Sequence, residues 1–281
     1  MRIALVQQKA GPDRHENLAR ALHAMGRART VGADLVAFPE LAIDRFFPQR
    51  EEDPAAEELA EPIPGPTADR VAARAAELGL VTVWNQYELG DDGRRYDSSP
   101  VFDADGSLLG VTRMMHITDY ACFHEQGYYA EGDTDALVHD TAAGRVGVAI
   151  CYDRHYPEYM RRLGEAGAEL VVVPQAGAVG EWPEGLFEAE LRVAAFQNGY
   201  FAALCNRVGE EERLTFAGES FVVDPEGVVT ARGPAGTEAM ITADLDLSRV
   251  GASTARRLFW RDRRPDVYAE WARATAPAPD G

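Results

Sequence analysis

The sequence predicts an α/β fold that is a sandwich of large sheets and not a purely doubly wound sheet. Short apolar runs rich in valine, isoleucine and leucine alternate with segments of helical periodicity. Strand–helix units stand at both ends of the core, and hairpin patterns lie between them. No linker or repeat divides the chain. We therefore expect one domain over residues 1–272 and a flexible Ala/Pro-rich tail over residues 273–281.

The chain opens with a strand–helix–strand pattern. The apolar runs IALVQQ (3–8) and DLVAF (34–38) each predict a strand. Between them, the spacing of Leu18, Leu22 and Met25 places all three on one face of a helix. This pattern is the first of the strand–helix units on which the fold prediction depends.

The next elements are a helix, a strand and a hairpin. Thr67 is expected to cap a second helix, whose apolar residues recur at helical spacing. The segment LVTVWNQYEL (80–89) then predicts one strand. The segment SSPVFDADGSLLGVTRMMHI (98–117) predicts a hairpin, because the pair Asp105-Gly106 between two apolar runs is a strong turn signal.

The second half of the chain adds two helices and further strands. The helices are predicted over residues 157–166 and 186–198, and Gly199 closes the second one in the usual C-terminal position. The strand patterns are RVGVAI (145–150), AELVVVPQA (168–176), YFAALCN (200–206), SFVVDPEGVVTARG (220–233) and AMITADLDL (239–247).

The charge balance excludes a nucleic-acid-binding function. The formal net charge is -18, whereas a nucleic-acid interface needs a basic face. No apolar run approaches the roughly 20 residues of a membrane span, and the N-terminus becomes polar too soon for a signal peptide. We therefore expect a cytoplasmic protein with neither a nucleic-acid nor a membrane partner.

Cysteine and histidine usage argues against a disulfide framework and against a metal site. Cys122, Cys151 and Cys205 are odd in number and widely spaced, and the 6 histidines include no H-x-x-x-H pair. We expect no metal and no other cofactor. In a reducing cytoplasm the thiols are expected to stay free.

Two strand patterns end in residues that suit nucleophilic chemistry. DLVAFPE ends at Glu40, and GVAIC ends at Cys151. Ligands of open α/β sheets gather beyond the carboxyl ends of strands, and a carboxylate beside a thiol fits a nucleophile with its general base. Two less specific interpretations remain open, namely a buried core cysteine and a helix-capping or surface carboxylate.

Three segments taken together carry a family resemblance. LVAFPEL (35–41), HITDYACFHEQGYYAEGD (116–133) and GVAICYDRHYPE (147–158), in this order and spacing, resemble the nitrilase superfamily of carbon–nitrogen hydrolases. The similarity is to the amidase and carbamoylase branches, such as N-carbamoylputrescine amidase and β-ureidopropionase. The resemblance implies an α-β-β-α sandwich of the nitrilase type, which commonly dimerises by stacking helices on helices.

The resemblance also implies roles for individual residues. Family members use a Glu–Lys–Cys triad with a second glutamate nearby. Carried over by position, Glu40 is the general base, Cys151 is the nucleophile and Glu125 is the second glutamate. The backbone N–H of Tyr152 is expected to hold the developing oxyanion. The position of the family's lysine is occupied here by Met114.

The missing lysine has no evident substitute in the sequence. Lys9, just after the first predicted strand, is the only lysine, and the use of Arg113 would place its side chain on the opposite face of the strand. Loss of one oxyanion donor typically lowers the rate by about 10²–10³. Without a cation, the two glutamates are expected to share a proton and the pKa of the nearby thiol is expected to rise.

Four further side chains are candidates for contact with the substrate. His116, two residues beyond Met114 on the same predicted strand face, either supplies a proton or is a structural histidine. His124 and Tyr128 either line the pocket or pack in the core. The fourth candidate, Arg154, follows the cysteine by three residues.

The resemblance implies that an arginine at position 154 binds a substrate carboxylate, a task that suits the fork-shaped guanidinium. An ion pair with Asp153 or Glu158 is the alternative. The segment QAGAVGEWPEG (175–185) matches a family loop near the active site, and a purely structural role for its glycine and tryptophan residues also remains open.

These features predict a cysteine-dependent hydrolase that cleaves an amide or N-carbamoyl bond through a thioester acyl-enzyme. The expected partner is a small amide, carbamoyl or carboxylate-bearing molecule. The alternative is a protein of the same fold in which Met114 marks a change to acyl transfer, condensation or ligand binding. We also expect a homodimer or larger homo-oligomer, for which Phe259, Trp260 and Tyr268 offer aromatic contacts.

Overall fold

The structure is a computed structural model that describes residues 1–135 and 137–275 of the chain. Within them the α-helices are α1 (Arg14–Thr30), α2 (Pro66–Leu78), α3 (Pro157–Glu165), α4 (Leu186–Asn198), α5 (Ser248–Ala252) and α6 (Pro265–Thr275). The strands of the first half are β1 (Arg2–Gln7), β2 (Leu35–Ala37), β3 (Val81–Val83), β4 (Gln86–Leu89), β5 (Arg95–Phe102), β6 (Leu108–Arg113), β7 (Asp119–Tyr120) and β8 (Phe123–His124). Those of the second half are β9 (Val138–Thr141), β10 (Gly144–Val148), β11 (Leu170–Gln175), β12 (Phe201–Asn206), β13 (Val208–Glu210), β14 (Thr215–Ala217), β15 (Phe221–Val223), β16 (Val229–Arg232) and β17 (Ala239–Asp244).

Two large sheets form the centre of the molecule. In one sheet the spatial order is β17, β1, β2, β3, β5 and β4, and β6 also pairs with β5. In the other sheet the order is β16, β15, β12, β11, β10 and β9. Strands β1, β2 and β3 are parallel to one another, as are β10, β11 and β12, while the outer strands add antiparallel pairs. The mixture of parallel units and hairpins confirms the sequence prediction.

Three apolar layers show how the sheets and helices stack. The largest cluster lies between the sheets, where Leu5 of β1 shares one core with Val148 of β10. A second cluster joins the opposite face of the first sheet to helices α1 and α2, and a third joins the second sheet to α3 and α4. Alternate side chains of each inner strand therefore enter different layers. The architecture is the α-β-β-α sandwich that the resemblance implied.

Helix boundaries follow the local sequence signals. Helix α1 begins after Asp13, whose carboxylate accepts hydrogen bonds from the N–H groups of His15 and Glu16. Helix α4 ends at Gly199 in the left-handed conformation, as predicted. The predicted cap Thr67 is wrong, because Gly65 precedes the helix and Pro66 is its first residue. None of the helices in the described ranges is long and apolar enough to cross a membrane.

Two other expectations differ from the structure. The single strand predicted over residues 80–89 is two strands, β3 and β4, because Trp84 and Asn85 leave the ladder between them. The side chain of Asn85 instead accepts a hydrogen bond from Leu41 N–H in the turn after β2 and donates one to Asp97 in β5. Helix α6 ends at Thr275, so residues 273–275 belong to it and not to the expected tail. The remaining tail residues, 276–281, lie outside the described residues.

Candidate active site

Cys151 begins a sharp turn beyond the end of strand β10. Pairing with β11 stops at Val148, and two residues separate it from Cys151. The expectation that Cys151 is the last residue of the strand is therefore wrong. Cys151–His155 form a 3₁₀ turn, and the φ angle of Cys151 is +43°. Residues other than glycine rarely adopt a positive φ, and such backbone strain concentrates at functional sites. The turn buries the thiol between the two sheets.

Glu40 lies in a similar turn after strand β2. The strand ends at Ala37, and Leu41, the residue after Glu40, has a φ of +46°. The N–H of Leu41 donates to Asn85 Oδ1 at 2.6 Å, and the Arg207 guanidinium donates to the carbonyl oxygens of Glu40 and Leu41. These contacts fix the backbone of the turn. The Glu40 carboxylate is fully buried, and it lies close enough to the Cys151 thiol for the thiol to lower the pKa of Glu40.

Glu125 is held by a loop that folds over the sheet. It follows the short hairpin of β7 and β8 and begins a 3₁₀ turn. Its carbonyl oxygen accepts hydrogen bonds from the N–H groups of Tyr128 and Tyr129, at 2.9 and 2.8 Å. The N–H of Gln126 donates to Thr118 O. The Glu125 side chain is fully buried, and its charge raises the pKa of both Glu40 and Cys151.

Asp97 is a third buried acid that the sequence analysis did not identify. It lies in β5, it is fully buried, and its Oδ1 atom accepts a hydrogen bond from Asn85 Nδ2 at 2.6 Å. Its carboxyl group adjoins that of Glu40, and each affects the pKa of the other. Asp97 stands in the mostly polar start of β5, RYDSS, so no apolar pattern around it marked it as a buried acid.

Met114 lies just beyond the end of β6. Its N–H donates to Asp97 O at 2.9 Å, and its carbonyl oxygen accepts from Gly132 N at 2.8 Å. The side chain is fully buried in the core between the sheets, which also contains Cys151. Because β6 ends at Arg113, the expectation that Met114 and His116 share a strand face is wrong.

Arg113 points away from this core, as its position on the strand predicts. Its guanidinium pairs with Glu88 at 2.7 Å and Asp133 at 3.1 Å, and it stacks over the ring of Tyr96. The side chain therefore cannot stand in for a cation beside the thiol. Lys9, the other basic residue considered from the sequence, is exposed beyond the end of β1.

Burial makes the acids of this site hard to ionise. Burial, and after it the charge of Glu125, together raise the pKa of Glu40 to about 8. Burial, followed by the charges of neighbouring acids, also holds the pKa values of Asp97, Glu125 and Cys151 well above their ordinary ranges. At neutral pH the site is consequently dominated by protonated carboxyl groups and a protonated thiol.

His116 is held in place by contacts with Asp153 and Tyr156. Its Nδ1 atom lies 2.7 Å from Asp153 Oδ1, and its ring stacks on Tyr156 with the ring centroids 3.5 Å apart. The fully buried Asp153 also accepts hydrogen bonds from the N–H groups of His116 and Met115. Asp153 thereby ties the segment that follows Met114 to the turn that carries the cysteine.

Arg154 is buried below the same turn. Its Nη1 atom donates to Cys151 O and to Gln175 Oε1, both at 2.8 Å, and its Nε lies 3.2 Å from Glu190 Oε2. The ion-pair partner is therefore Glu190 and neither of the two acids considered from the sequence. The guanidinium supports the backbone of the cysteine turn from the side of helix α4.

The other two predicted candidates lie toward the outside of the site. His124 pairs across its hairpin with Asp119, at 3.1 Å. The hydroxyl of Tyr128 donates to Arg50 O at 2.9 Å. The neighbouring Tyr129 is instead buried, and the charges of the three acids act on its hydroxyl.

An aromatic rim surrounds the thiol. Tyr120 lies close enough to Cys151 and Glu125 for their charges to raise its pKa, and its hydroxyl donates to Glu181 Oε1 at 2.7 Å. Its ring also packs against Trp182, with the centroids 5.7 Å apart. Glu181 and Trp182 belong to the loop over residues 175–185, so the structure brings this loop to the site. The N–H of Tyr152 donates to no acceptor within the described residues.

The donor set of the site does not suggest a metal. Within residues 1–135 and 137–275, no group of three or more His, Cys, Asp or Glu side chains is arranged to hold a metal ion. What the arrangement offers is a strained, buried thiol, a carboxyl group able to exchange a proton with it, and a backbone N–H in the same turn. These parts suit acyl transfer through a covalent intermediate.

Comparison with known proteins agrees with this chemistry. The family model for carbon–nitrogen hydrolases matches residues 2–255. The N-carbamoylputrescine amidase of Solanum lycopersicum is 31% identical over 280 residues, covering 95% of this chain and 93% of that protein. The omega-amidase NIT2 of Homo sapiens is 30% identical over 279 residues, covering 95% and 96%.

Solved structures share the fold over nearly the full length. A carbon–nitrogen hydrolase from Helicobacter pylori G27 superposes with a TM-score of 0.91 at 28% identity, covering 97% of this chain and 98% of that one. A mutant of the amidase from Nesterenkonia sp. AN1, in which acrylamide has added to the active-site cysteine, gives a TM-score of 0.81 at 27% identity, with 96% and 99% covered. The chain is a hydrolase-like enzyme that belongs to the carbon–nitrogen hydrolase family and has the nitrilase-superfamily fold.

Proposed function

We propose that this protein cleaves an amide or N-carbamoyl C–N bond of a small molecule through a thioester on Cys151. The observation that carries the proposal is the meeting of Cys151, Glu40 and Glu125 in one buried site, on turns whose backbones are held in place. Small amides and carbamoyl compounds are also the substrates named for the amidase relatives.

In the acylation half-reaction, ionised Glu40 takes the proton from Cys151 Sγ as the sulfur forms a bond to the carbonyl carbon. The carbonyl oxygen becomes an oxyanion, for which the unengaged N–H of Tyr152 is a donor. The oxyanion then collapses, the C–N bond breaks, and the leaving nitrogen takes the proton from Glu40. The product of this step is a thioester and a free amine or ammonia.

In the second half-reaction, Glu40 removes a proton from a water molecule as its oxygen attacks the thioester carbon. The C–S bond breaks, the acid is released, and the sulfur recovers the proton from Glu40. The charge of Glu125 raises the pKa of Glu40, so the Glu40 carboxylate is a stronger base. The same charge makes Glu40 harder to ionise, and the ionised form is the one that begins the cycle.

Met114 favours a second candidate function. A thioether cannot donate a hydrogen bond or carry charge, so the oxyanion has one donor fewer than an ammonium at this position would supply. Simple amides are therefore expected to react slowly. A site of this kind also suits transfer of the acyl group to an acceptor other than water, in which the attacking nucleophile differs but the thioester is the same.

Intact-protein mass spectrometry with a panel of small amides and N-carbamoyl amino acids tests the proposal. We expect a mass gain equal to the acyl group on Cys151, with release of ammonia or amine, and no gain in Cys151→Ala. Cys122→Ala, which changes a partly exposed cysteine, is the matched control and should acylate normally. An adduct that persists in water but leaves when hydroxylamine is added favours acyl transfer. An adduct in Cys151→Ala, or no adduct and no ammonia with any compound, contradicts the proposed function.

A further inference from the structure

The acidic cluster of Glu40, Asp97 and Glu125 contains buried polar atoms that lack a hydrogen bond of good geometry. They are both carboxyl oxygens of Glu40 and of Glu125, Oδ2 of Asp97 and, beside them, the hydroxyl of Tyr129. Looser contacts of Glu40 with Cys151 and Asp97, and of Glu125 with the backbone of Thr118, affect their pKa values. All four residues are at least nine-tenths buried. An unsatisfied buried polar group typically destabilises a protein by about 1–3 kcal/mol, so this many in one place indicates a missing ligand.

The cations near the cluster make their hydrogen bonds and ion pairs with other groups, although the charge of Arg207 lowers the pKa of Glu40 and that of Arg154 lowers the pKa of Cys151. Arg154 binds Gln175 and Glu190, and Arg207 donates to backbone carbonyls and to Glu211. Arg113 forms its ion pairs on the far side of β6. Among residues 1–135 and 137–275, no arginine or lysine donates a hydrogen bond to the three carboxyl groups of the cluster. The acids of the cluster are therefore held largely protonated by burial, and an entering cation that pairs with them would favour their ionised forms.

The shape and chemistry of Met114 favour an ammonium ion as the missing group. The side chain ends in a methyl group, one atom short of the reach of a lysine, and it offers no hydrogen bond of its own. A hard metal ion is disfavoured, because the side chains of the described residues form no metal-holding group. A primary ammonium instead donates three hydrogen bonds, which suits acceptors that are spread around it.

The geometry points to a binding subsite for a compact primary ammonium group among Glu40, Asp97, Glu125 and Tyr129, beside the thiol of Cys151. The inference builds on the proposed function, because it names the substrate class of the same site. The preferred substrate is a small amide whose own amino group lies two or three bonds from the carbonyl carbon. The ammonium then supplies, from the substrate, the positive charge that pairs with the acids and stabilises the thiolate.

Methylammonium chloride is the probe for the subsite itself. The rate of Cys151 alkylation by iodoacetamide, a neutral reagent, is measured at increasing concentrations of methylammonium, potassium or tetramethylammonium chloride, with the ionic strength held constant. We expect a saturable acceleration with methylammonium alone, of about 10-fold for each unit by which the thiol pKa falls. Line broadening of ¹³C-methylammonium in nuclear magnetic resonance spectra provides a direct binding readout. Equal effects of the three salts, together with no broadening, would overturn the inference.

Variants separate occupation of the subsite from a general charge effect. Met114→Lys places an ammonium in the cluster, so its alkylation should be fast and insensitive to methylammonium. Leu108→Lys adds the same charge at an exposed position of β6, the strand that precedes Met114, and should behave like the native protein. Glu125→Gln, which retains the size of the side chain, should weaken the methylammonium effect. This variant tests the subsite even if the buried lysine of Met114→Lys prevents folding. An undiminished methylammonium effect in both Met114→Lys and Glu125→Gln would contradict the subsite.

Matched amides show whether the ammonium comes with the substrate. Glycinamide is compared with propionamide, and β-alaninamide with butyramide, since each pair differs by an amino group in place of a methyl group. We expect faster acylation of Cys151 by the amino compounds, with no further gain from added methylammonium. If propionamide reacts only when methylammonium is present, the ammonium group is a separate molecule. Acylation that is equal within each pair and unaffected by methylammonium refutes the subsite but leaves the proposed hydrolase intact, whereas absence of acylation by every amide refutes the hydrolase.

Discussion

At the scale of single residues, the site combines a thiol with three acids, and no arginine or lysine of the described residues donates a hydrogen bond to their carboxyl groups. The thiol of Cys151 lies beside Glu40 and Glu125, and Asp97 adjoins Glu40. In water each of these acids would be ionised at neutral pH, but desolvation and mutual repulsion favour their protonated forms. The resting site is therefore close to neutral, and catalysis begins only when Glu40 loses its proton or a positive charge enters.

Glu40→Gln should flatten the dependence of stability on pH. The pKa of Glu40 is raised from 4.5 to about 8 in the folded protein, so the folded state retains a proton that the unfolded state loses. This contribution to stability is fully present below about pH 4.5 and is lost as the pH rises through about 8, on the order of a few kcal/mol in total. The free energy of unfolding, measured by urea titration from pH 4.5 to 9, should fall less steeply in Glu40→Gln.

Glu51→Gln is the matched control for this measurement, because Glu51 is an exposed glutamate away from the cluster. Its pH profile should follow that of the native protein. Asp97 and Glu125 remain in the Glu40→Gln variant and, since their pKa values are also raised, should still produce part of the decline. Profiles that are parallel in the native protein and Glu40→Gln would show that Glu40 is not the group that holds the proton.

The sequence identified the main reactive residues but not all of the acids. Glu40 and Cys151 follow apolar runs that are easily recognised, and the resemblance added Glu125. Asp97 escaped notice because β5 is buried on both faces, so the alternation that separates inward from outward residues is absent there. The engagement of Arg154 with Glu190 depends on helix α4, whose placement against the cysteine turn is a tertiary property.

At the scale of secondary-structure elements, the site is assembled where strands end. Turns after β2 and β10 carry the base and the thiol, and the segment after β6 carries Met114. The chain that returns from Glu125 passes so close to this last segment that Gly132 bonds to Met114 O. A Cβ on Gly132 would lie 2.6 Å from Arg113 O and 2.8 Å from Met114 O.

Gly132→Ala should therefore destabilise the protein and disturb the site. Two backbone carbonyls must move to admit the methyl group, and overpacking of this kind costs about 1–3 kcal/mol. Chemical denaturation should show the loss of stability, and acylation of Cys151 should slow. Gly251→Ala is the control, because no atom lies within 4 Å of its added Cβ and it stands in helix α5. Unchanged stability and acylation in Gly132→Ala would contradict the close approach.

The strands and most helices were predictable because their patterns are local. The hairpin around Asp105-Gly106 and the end of α4 at Gly199 follow from turn and cap chemistry that needs no distant contact. The break between β3 and β4 was not predictable in this way. Asn85 leaves the ladder because its amide bridges the Glu40 turn and Asp97, and those partners are distant in sequence.

At the scale of the whole molecule, the outer helix layers differ in what they expose. On helix α4, Val193 is 52% exposed, and Phe196 packs against the exposed Phe259 of the C-terminal segment. Trp260, predicted as an interface aromatic, is instead surrounded by arginine side chains of its own chain. The exposed apolar residues of α4 and the C-terminal segment suit the core of an interface between copies of the chain.

Val193→Glu should convert a homodimer into a monomer. A carboxylate at the centre of the apolar face would be buried without a partner on association, which is strongly unfavourable. Light scattering at micromolar concentration should give twice the mass of one chain for the native protein and one chain mass for the variant. Val31→Glu changes an equally apolar exposed residue on the other helix layer and should remain a dimer. A monomeric native protein would contradict the prediction.

The central claim is that Met114 faces the thiol of Cys151 in a site where burial and the neighbouring acids outweigh the stabilisation of the thiolate by the charge of Arg154. The pH dependence of Cys151 alkylation, measured in the native protein, in Met114→Lys and in Leu108→Lys, tests it most directly. We predict a thiol pKa well above its ordinary range in the native protein and in Leu108→Lys, and a value lower by at least about one unit in Met114→Lys, since an adjacent ammonium favours the thiolate. An unchanged thiol pKa in a correctly folded Met114→Lys variant would show that this position does not face the nucleophile.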